Sequence, residues 1–462
     1  MRATEEASGE EGRNMDGRRK KRRLPLVGVL LLLAAVMGVT LLLTGWTVLG
    51  EDADLAAVSV TGTAILPEGG QTPAAGRTAE SAEAGSVEAG SAGAQTAAGR
   101  YAALLADPAQ MEAENAFPLT PREEGKITLA FAGDILFDDG YSIMSRMKSR
   151  ARGGSLVEAG FDPGILKKMR EADVFMVNNE FTYTTRGTPT AGKAFTFRAD
   201  PAHASLLSDM GADLVSLANN HAYDYGEISL LDTLDTLENA GMPYVGAGRD
   251  LNEAVRPVYF VSENVRIAFL SATQIERMDN PDTKGATETS PGVFRCRNVD
   301  RLLSEIEKAK AVSDFVVVYI HWGTESTTEL DWAQKEQAPL LAQAGADLII
   351  GDHPHVLQGI DWIGDTPVIY SVGNFLFNSK TQDTCLVEVT LDAQTGELAS
   401  FRFVPAVQKD CRTSLLEGSE KARVISHMRS LSPGVSIDEE GFVYPPEASG
   451  QEGPEVLQLS LR

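Results

Sequence analysis

Cysteine and histidine are both scarce in this chain, at three and six of 462 residues. The cysteines, Cys296, Cys385 and Cys411, are too few and too widely spaced for a disulfide framework or a cysteine-based zinc site. At most one pair could form in an external compartment, and the plainer reading is three buried small hydrophobes. Basic residues are also in deficit, 41 Lys and Arg against 65 Asp and Glu, a formal charge of -24. So acidic a body repels phosphate backbones, which argues against a nucleic-acid partner. Residues 24–50 carry no charge at all, and residues 51–100 carry no aromatic ring.

The uncharged run is long enough, at 27 residues, to cross a hydrocarbon core of about 30 Å as a helix. The basic block 18–23 precedes it, and Glu51, Asp52 and Asp54 follow. The positive-inside rule therefore predicts residues 1–23 as a cytoplasmic segment, 24–50 as an uncleaved single-pass anchor in the cell membrane, and an extracytoplasmic main domain. The aromatic-free stretch holds 14 Ala and 8 Gly in 50 residues and cannot bury enough apolar surface to offset chain entropy. It predicts a disordered linker over 51–114, with a short helix around 101–106 beginning the ordered part, a domain over 115–412, and a C-terminal helix and tail over 413–462.

From residue 127 onward, apolar runs of strand length alternate with amphipathic stretches, the pattern of an α/β fold. Strands are expected at 127–132, 173–177, 213–217, 315–320 and 347–350, a hairpin at 258–270, and strands at 367–371, 386–391 and 398–404. Helices are expected at 163–172, 201–210, 228–240, 299–312, 332–344 and 416–428. The first five strands end at Asp134, Glu180, Asn220-His221, His321 and His353-Pro354-His355, and four of the six histidines fall at such ends. In open α/β sheets, ligands bind beyond the carboxyl ends of the strands. His203 and His427 lie in helical stretches and receive no role.

Carboxylate oxygens of Asp134 and Glu180, the amide oxygen of Asn220 and the imidazoles of His321, His353 and His355 form a donor set suited to manganese, zinc or iron rather than calcium. One or two ions are expected. With two divalent ions and two carboxylates the formal charge left is about +2, which favours an anionic substrate despite the acidic body. Metal activation of water makes hydrolysis the chemistry such a set supports.

These residues carry a family resemblance. Phe131-Ala132-Gly133-Asp134, Asn179-Glu180, Phe195-Thr196-Phe197-Arg198, Ser216-Leu217-Ala218-Asn219-Asn220-His221 with Asp224, Gly246-Ala247-Gly248, His321-Trp322-Gly323, Gly351-Asp352-His353-Pro354-His355 with Gln358, and Tyr370-Ser371-Val372-Gly373-Asn374-Phe375 occur in order. Together they resemble the CapA family of capsule synthesis proteins associated with bacterial poly-gamma-glutamate. The resemblance implies a metallophosphatase-like, calcineurin-like fold: a four-layer sandwich of two mixed sheets flanked by helices. It also implies that Asp134 and His355 bind one metal, that Asn220, His321 and His353 bind a second, and that Glu180 bridges. His221, oriented by Asp224, would be a general acid, and Arg198 would clamp an anionic substrate group. Where related phosphoesterases carry a histidine two residues after the first aspartate, this chain has Leu136. Water, Asp138 or Asp139 would have to stand in for it.

Two readings follow from the resemblance. In one the chain is a membrane-anchored hydrolase of an anionic ester or amide in capsule or envelope polymer metabolism. In the other it is a non-catalytic subunit that binds the polymer or other capsule synthase subunits. No nucleotide-binding Gly-x-x-x-x-Gly-Lys-Ser/Thr loop occurs, so polymer synthesis itself would require a partner.

Overall fold

The β-prone runs and amphipathic stretches fold into two mixed sheets packed face to face, seen in a computed structural model that describes residues 99–275 and 283–446. The basic segment, the expected anchor at 24–50 and the linker up to residue 98 lie outside the described residues, as does the tail from 447. Among the described residues, no helix is long and apolar enough to cross a membrane.

The first sheet has ten strands. From its middle to one edge Lys126–Ile135, Val174–Asn179, Leu214–Ser216 and Tyr244–Val245 run parallel, each beside the next. Gln382–Asp392 continues the sheet antiparallel to the first of these, and Leu398–Gln408 follows as its hairpin partner. The second sheet has seven strands, with Arg266–Thr273, Phe315–His321 and Leu348–Asp352 parallel at its centre and Val258–Val261 antiparallel beside them as the expected hairpin.

Strand alternation sorts the side chains into layers. Ile127, Leu129, Phe131, Val174 and Met176 of the first sheet meet Ile267, Phe269, Val317, Tyr319 and Ile350 of the second in a continuous core. Each fully buried aromatic or branched side chain there contributes roughly 1.5–3 kcal/mol. On the outer face of the first sheet, Ala130, Ala132, Phe175 and Val177 pack against helices Ser142–Ala151, Pro163–Glu171, Ser205–Met210 and Glu227–Asn239. On the outer face of the second, Leu270, Val318 and Ile349 pack against helices Asp300–Lys310 and Trp332–Ala344. The layer order is therefore helix, sheet, sheet, helix. Tyr319 Oη donates to Ala132 O at 2.8 Å, and the Ser216 and Ser271 hydroxyls meet at 2.8 Å, pinning one sheet to the other near the strand ends.

Two stretches differ from expectation. Residues 102–114, placed in the linker by composition, form helix Ala102–Leu105, where a short helix was expected, and helix Pro108–Glu114, where none was. They dock through Leu104 and Met111 against Val261, with Tyr101 Oη donating to Asp314 at 2.9 Å and Glu114 paired with Arg266 at 2.7 Å. Folded structure thus begins before residue 115. At the other end, helix Gly418–Leu431 is followed by strands Ser436–Ile437 and Phe442–Tyr444, which extend the first sheet past Leu398–Gln408. Cys296, Cys385 and Cys411 are all buried and free.

Close backbone approach explains one glycine in the first metal-type motif. A Cβ at Gly133 would sit 1.9 Å from Gly373 O, because strand Asn374–Leu376 pairs in parallel with the first strand at Asp134. Gly133→Ala is expected to cost about 1–3 kcal/mol of stability as the two backbones separate, read from the urea midpoint.

Candidate metal centre

The register of the two sheets sets out the cluster. Asp134 lies beside Asn178 in the first sheet, and His321 lies beside Asp352 in the second. The loops that follow Val174–Asn179, Leu214–Ser216 and Leu348–Asp352 add Glu180, Asn220-His221 and His353 to His355. The structure thus brings together Asp134, Glu180, Asn220, His321, His353 and His355, which come from five chain segments.

The contacts are close. Asp134 Oδ2 lies 3.0 Å from His355 Nδ1, and its Oδ1 accepts from Asn178 Nδ2 at 2.8 Å. His321 Nε2 is 2.8 Å from Asn220 Oδ1, 3.1 Å from His353 Nδ1 and 3.7 Å from Glu180 Oε1. Two sets, Glu180 with His353 and His355, and Asp134 with His321 and Asp352, each have ligand-type atoms within 4.8 Å of one another. His353 and His355 hold φ of 93° and 59°, a left-handed region costly for non-glycine residues that turns both rings inward around Pro354.

Whether a cation fits is decided by the atoms without partners. Both oxygens of Glu180 and Oδ2 of Asp352 are buried and have no hydrogen-bond donor. An orphaned buried carboxylate oxygen is expensive, whereas a divalent cation among such oxygens and imidazole lone pairs satisfies them together. Burial, reinforced by the Asp134 charge, pushes Glu180 and Asp352 well above the usual carboxylate range. Burial pushes His321 down to about 3 and His353 well below its ordinary value. Asp134 is held at about 2: burial opposes ionisation, but the hydrogen bond and charge of His355 outweigh it. Acids starved of positive charge beside neutral imidazoles form a donor set that fits a divalent ion.

His221 stands at the edge of this cluster, its Nε2 4.0 Å from Glu180 Oε1 and its Nδ1 2.7 Å from Asp224 Oδ2. Burial lowers its pKa, while Asp224 opposes the shift. The Phe197 ring packs against it at 4.4 Å. Arg198 is not brought into the donor cluster. Its guanidinium lies 4.5 Å from the Tyr225 ring, in a neighbouring cavity lined by Asp138, Tyr141 and Thr184. Asp138 and Asp139, the expected stand-ins for the missing histidine, are engaged elsewhere. Asp138 accepts from the backbone N–H groups of Gly140 and Arg198, and Asp139 pairs with Lys148. Leu136 is buried in the outer apolar core. Gln358 holds the loop after His321 through Thr327 O and Glu329 O, a structural task, while Trp322 is core.

Three contributors escaped sequence reasoning. Asp352 orients His321 through Nδ1 at 2.9 Å, and its position after a strand in Gly-Asp-His was the available signal. It raises the carboxylates in the cluster to three, so two divalent ions would leave a formal charge of about +1 rather than +2. Asn374 holds His355 Nδ1 at 2.9 Å, through a strand pairing that local pattern does not reveal. Lys193, in an irregular loop with no motif of its own, is nearly buried and donates from Nζ to Asp224 Oδ1 at 2.6 Å and to Asn220 O. Lys193→Met leaves Asp224 short of one charged partner and is expected to cost about 3 kcal/mol, measured by urea unfolding of the two proteins side by side.

A two-sheet α/β protein with a buried carboxylate and imidazole centre at its strand ends is the class that fold and site define. The chain belongs to the family described as bacterial capsule synthesis protein PGA_cap, whose model matches residues 128–379. It is similar to the PGA biosynthesis protein CapA of Bacillus subtilis, 33% identical over 46% of this chain and 56% of that protein. It is also similar to the capsule biosynthesis protein CapA of Bacillus anthracis, 30% identical over 59% of this chain and 66% of that one. The matched stretch therefore spans just over half to about two thirds of the length of these curated relatives. Among solved structures, a Mycoplasma pneumoniae phosphatase is a distant likeness, 15% identical over 62% of this chain and 95% of that one, with a TM-score of 0.39. A Candida albicans 5'-nucleotidase is more distant, 11% identical over 62% and 53%, with a TM-score of 0.32.

Proposed function

We propose that this chain is a metal-dependent hydrolase that cleaves an anionic ester or amide in capsule or cell-envelope polymer metabolism, with poly-gamma-glutamate as the substrate class. The observation that carries the reading is the set of orphaned, fully buried oxygens of Glu180 facing imidazoles across a strand-end cluster. The names of the Bacillus relatives support the polymer context. The charge pattern around residues 24–50 supports a body tethered outside the membrane by one helix, near capsule synthase subunits.

Asp134, Glu180, Asn220, His321, His353 and His355 would hold one or two ions of manganese, zinc or iron. When bound, a divalent ion supplies Lewis-acid polarisation and positive charge where negative charge develops. His221 holds a proton at Nε2 for the leaving group, with Asp224 fixing the ring through Nδ1 and stabilising its charged form. Phe197 excludes water from one face of that ring. Arg198, half-buried beside Tyr225, binds an anionic group of the substrate outside the cluster.

The test is a cleavage screen of the full chain against phosphodiesters and poly-gamma-glutamate with manganese, zinc or iron added. Metal-dependent release of product is expected. Retention of the polymer with no cleavage under any metal would favour a non-catalytic binding or assembly subunit.

A further inference from the structure

We propose that a basic surface beside the metal centre, built from helix Ser142–Ala151 and the turn at 409–412, is the track on which a polycarboxylate chain lies while one of its bonds occupies the centre. The inference rests on the polymer reading above and names where the rest of the polymer goes.

The surface is an anomaly in so acidic a chain. Residues 142–152 contain Arg146, Lys148, Arg150 and Arg152 and no acidic side chain. Three of these face one cavity together with Ser149 and Asp410. The helix explains the alignment: Ile143, Met144 and Met147 are buried, which turns Arg146, Ser149 and Arg150 outward at three- and four-residue spacing. Arg152 follows as the left-handed cap with φ 50° and is exposed. Asp410 belongs to a turn that Lys409 and Arg412 close by mutual backbone hydrogen bonds at 2.8 and 3.1 Å.

Local acids only partly offset these charges. Asp410 is shared, 3.5 Å from Arg146 and 3.6 Å from Arg150, and Asp139 pairs with Lys148. Arg150 is spent on scaffolding, since its guanidinium donates to Ala159 O, Cys411 O and Asp410 O and so clamps the turn to the helix. Arg146 and Arg152 remain exposed on that cavity, and Lys409 is exposed on the turn that carries Asp410.

Continuity with the metal centre is what selects a polymer over other polyanions. Gln382 Nε2 donates to His355 O at 3.2 Å, and Gln382 Oε1 accepts from Asn378 Nδ2 at 3.2 Å. Asn378 Oδ1 accepts from the Lys380 backbone at 2.9 Å, and Ser379 O accepts from the Asp410 backbone at 3.3 Å. A short bonded path therefore runs from the loop of His355, past exposed Lys380, to the basic turn. A flexible chain carrying one carboxylate per repeat can sit in the centre and on these cations at once, and linking the two contacts raises the overall affinity without any new site. Exposed charge pairs are screened by salt, so this contribution should fade as ionic strength rises.

The experiment measures binding of long poly-gamma-glutamate and of a gamma-glutamyl dipeptide to the full chain and to an Arg146→Gln, Arg152→Gln, Lys409→Gln triple variant, at low and high salt. Vesicles rich in phosphatidylglycerol form a parallel arm. At low salt, the variant should bind the polymer at least tenfold more weakly with a shallower salt dependence, and should bind the dipeptide as the parent does. Equal polymer affinity in the two proteins overturns the track. Variant-sensitive binding to vesicles, with unchanged polymer binding, makes the surface a membrane contact and overturns it as well. Patch-dependent binding in a chain that cleaves nothing would sink the hydrolase reading while leaving the track standing. Normal cleavage with patch-independent binding would do the reverse.

Discussion

His221→Gln is expected to lower turnover of a cleaved ester or amide by about 10²–10⁴-fold, the usual worth of a positioned proton donor, while bound metal stays at the parental level. The split follows from geometry. His221 Nε2 lies 4.0 Å from Glu180 Oε1, near the donor cluster without belonging to either set of converging ligand atoms. Its ring is held by Asp224 at 2.7 Å and by Phe197 at 4.4 Å, so glutamine can occupy much of the space without the proton chemistry. Asp224 in turn accepts from the Phe197 backbone N–H at 2.6 Å and from Lys193. Asp224→Asn should therefore lose activity too, with a stability cost that His221→Gln does not share. Rates with excess metal and elemental analysis of the same preparations check both halves. Unchanged turnover in His221→Gln would remove its role as acid.

The double substitution His353→Ala, His355→Ala should have the opposite signature: metal content falls to near zero and activity falls with it. His353 Nδ1 and His355 Nδ1 contact His321 and Asp134 respectively, and both belong to the set that converges with Glu180, so the two alanines strip both imidazoles from that set and a neighbour from each of the other set's His321 and Asp134. The substitutions leave the backbone strain in place, because φ of 93° and 59° burdens histidine and alanine alike. Addition of manganese or zinc should raise the melting temperature of the parent and leave the variant unmoved, since only a native state that binds the ion is stabilised by it.

Much of the fold could be read from the order of residues because its central strands are buried on both faces. The run at 315–320 and the strand Phe315–His321 coincide almost residue for residue, every side chain in it being buried. The strand-end positions of Asp134, Glu180, Asn220, His321, His353 and His355 were legible for the same reason: polar residues interrupt apolar runs where nothing in the core needs them. The illegible parts depend on long-range pairing or on few contacts. Helix Pro108–Glu114, unlike the short helix before it, is anchored mainly by Met111, too sparse a pattern to stand out from the sequence. Strand Phe442–Tyr444 is three residues long and exists by pairing with Arg402 and Phe401. Lys193 meets Asp224 across 31 residues, and no periodicity announces such a partner. Arg198 was legible as a cation near the site, but its backbone bond to Asp138 and its packing on Tyr225 place it in an adjoining cavity.

The central claim is that the cluster binds a divalent metal. Anomalous diffraction at the manganese or zinc edge, from crystals of the reconstituted full chain, tests it most directly. The account predicts one or two peaks within bonding distance of Glu180 and of the imidazoles of His321, His353 and His355. A reconstituted crystal with no peak there, its buried carboxylates protonated and hydrogen-bonded to one another, would contradict it.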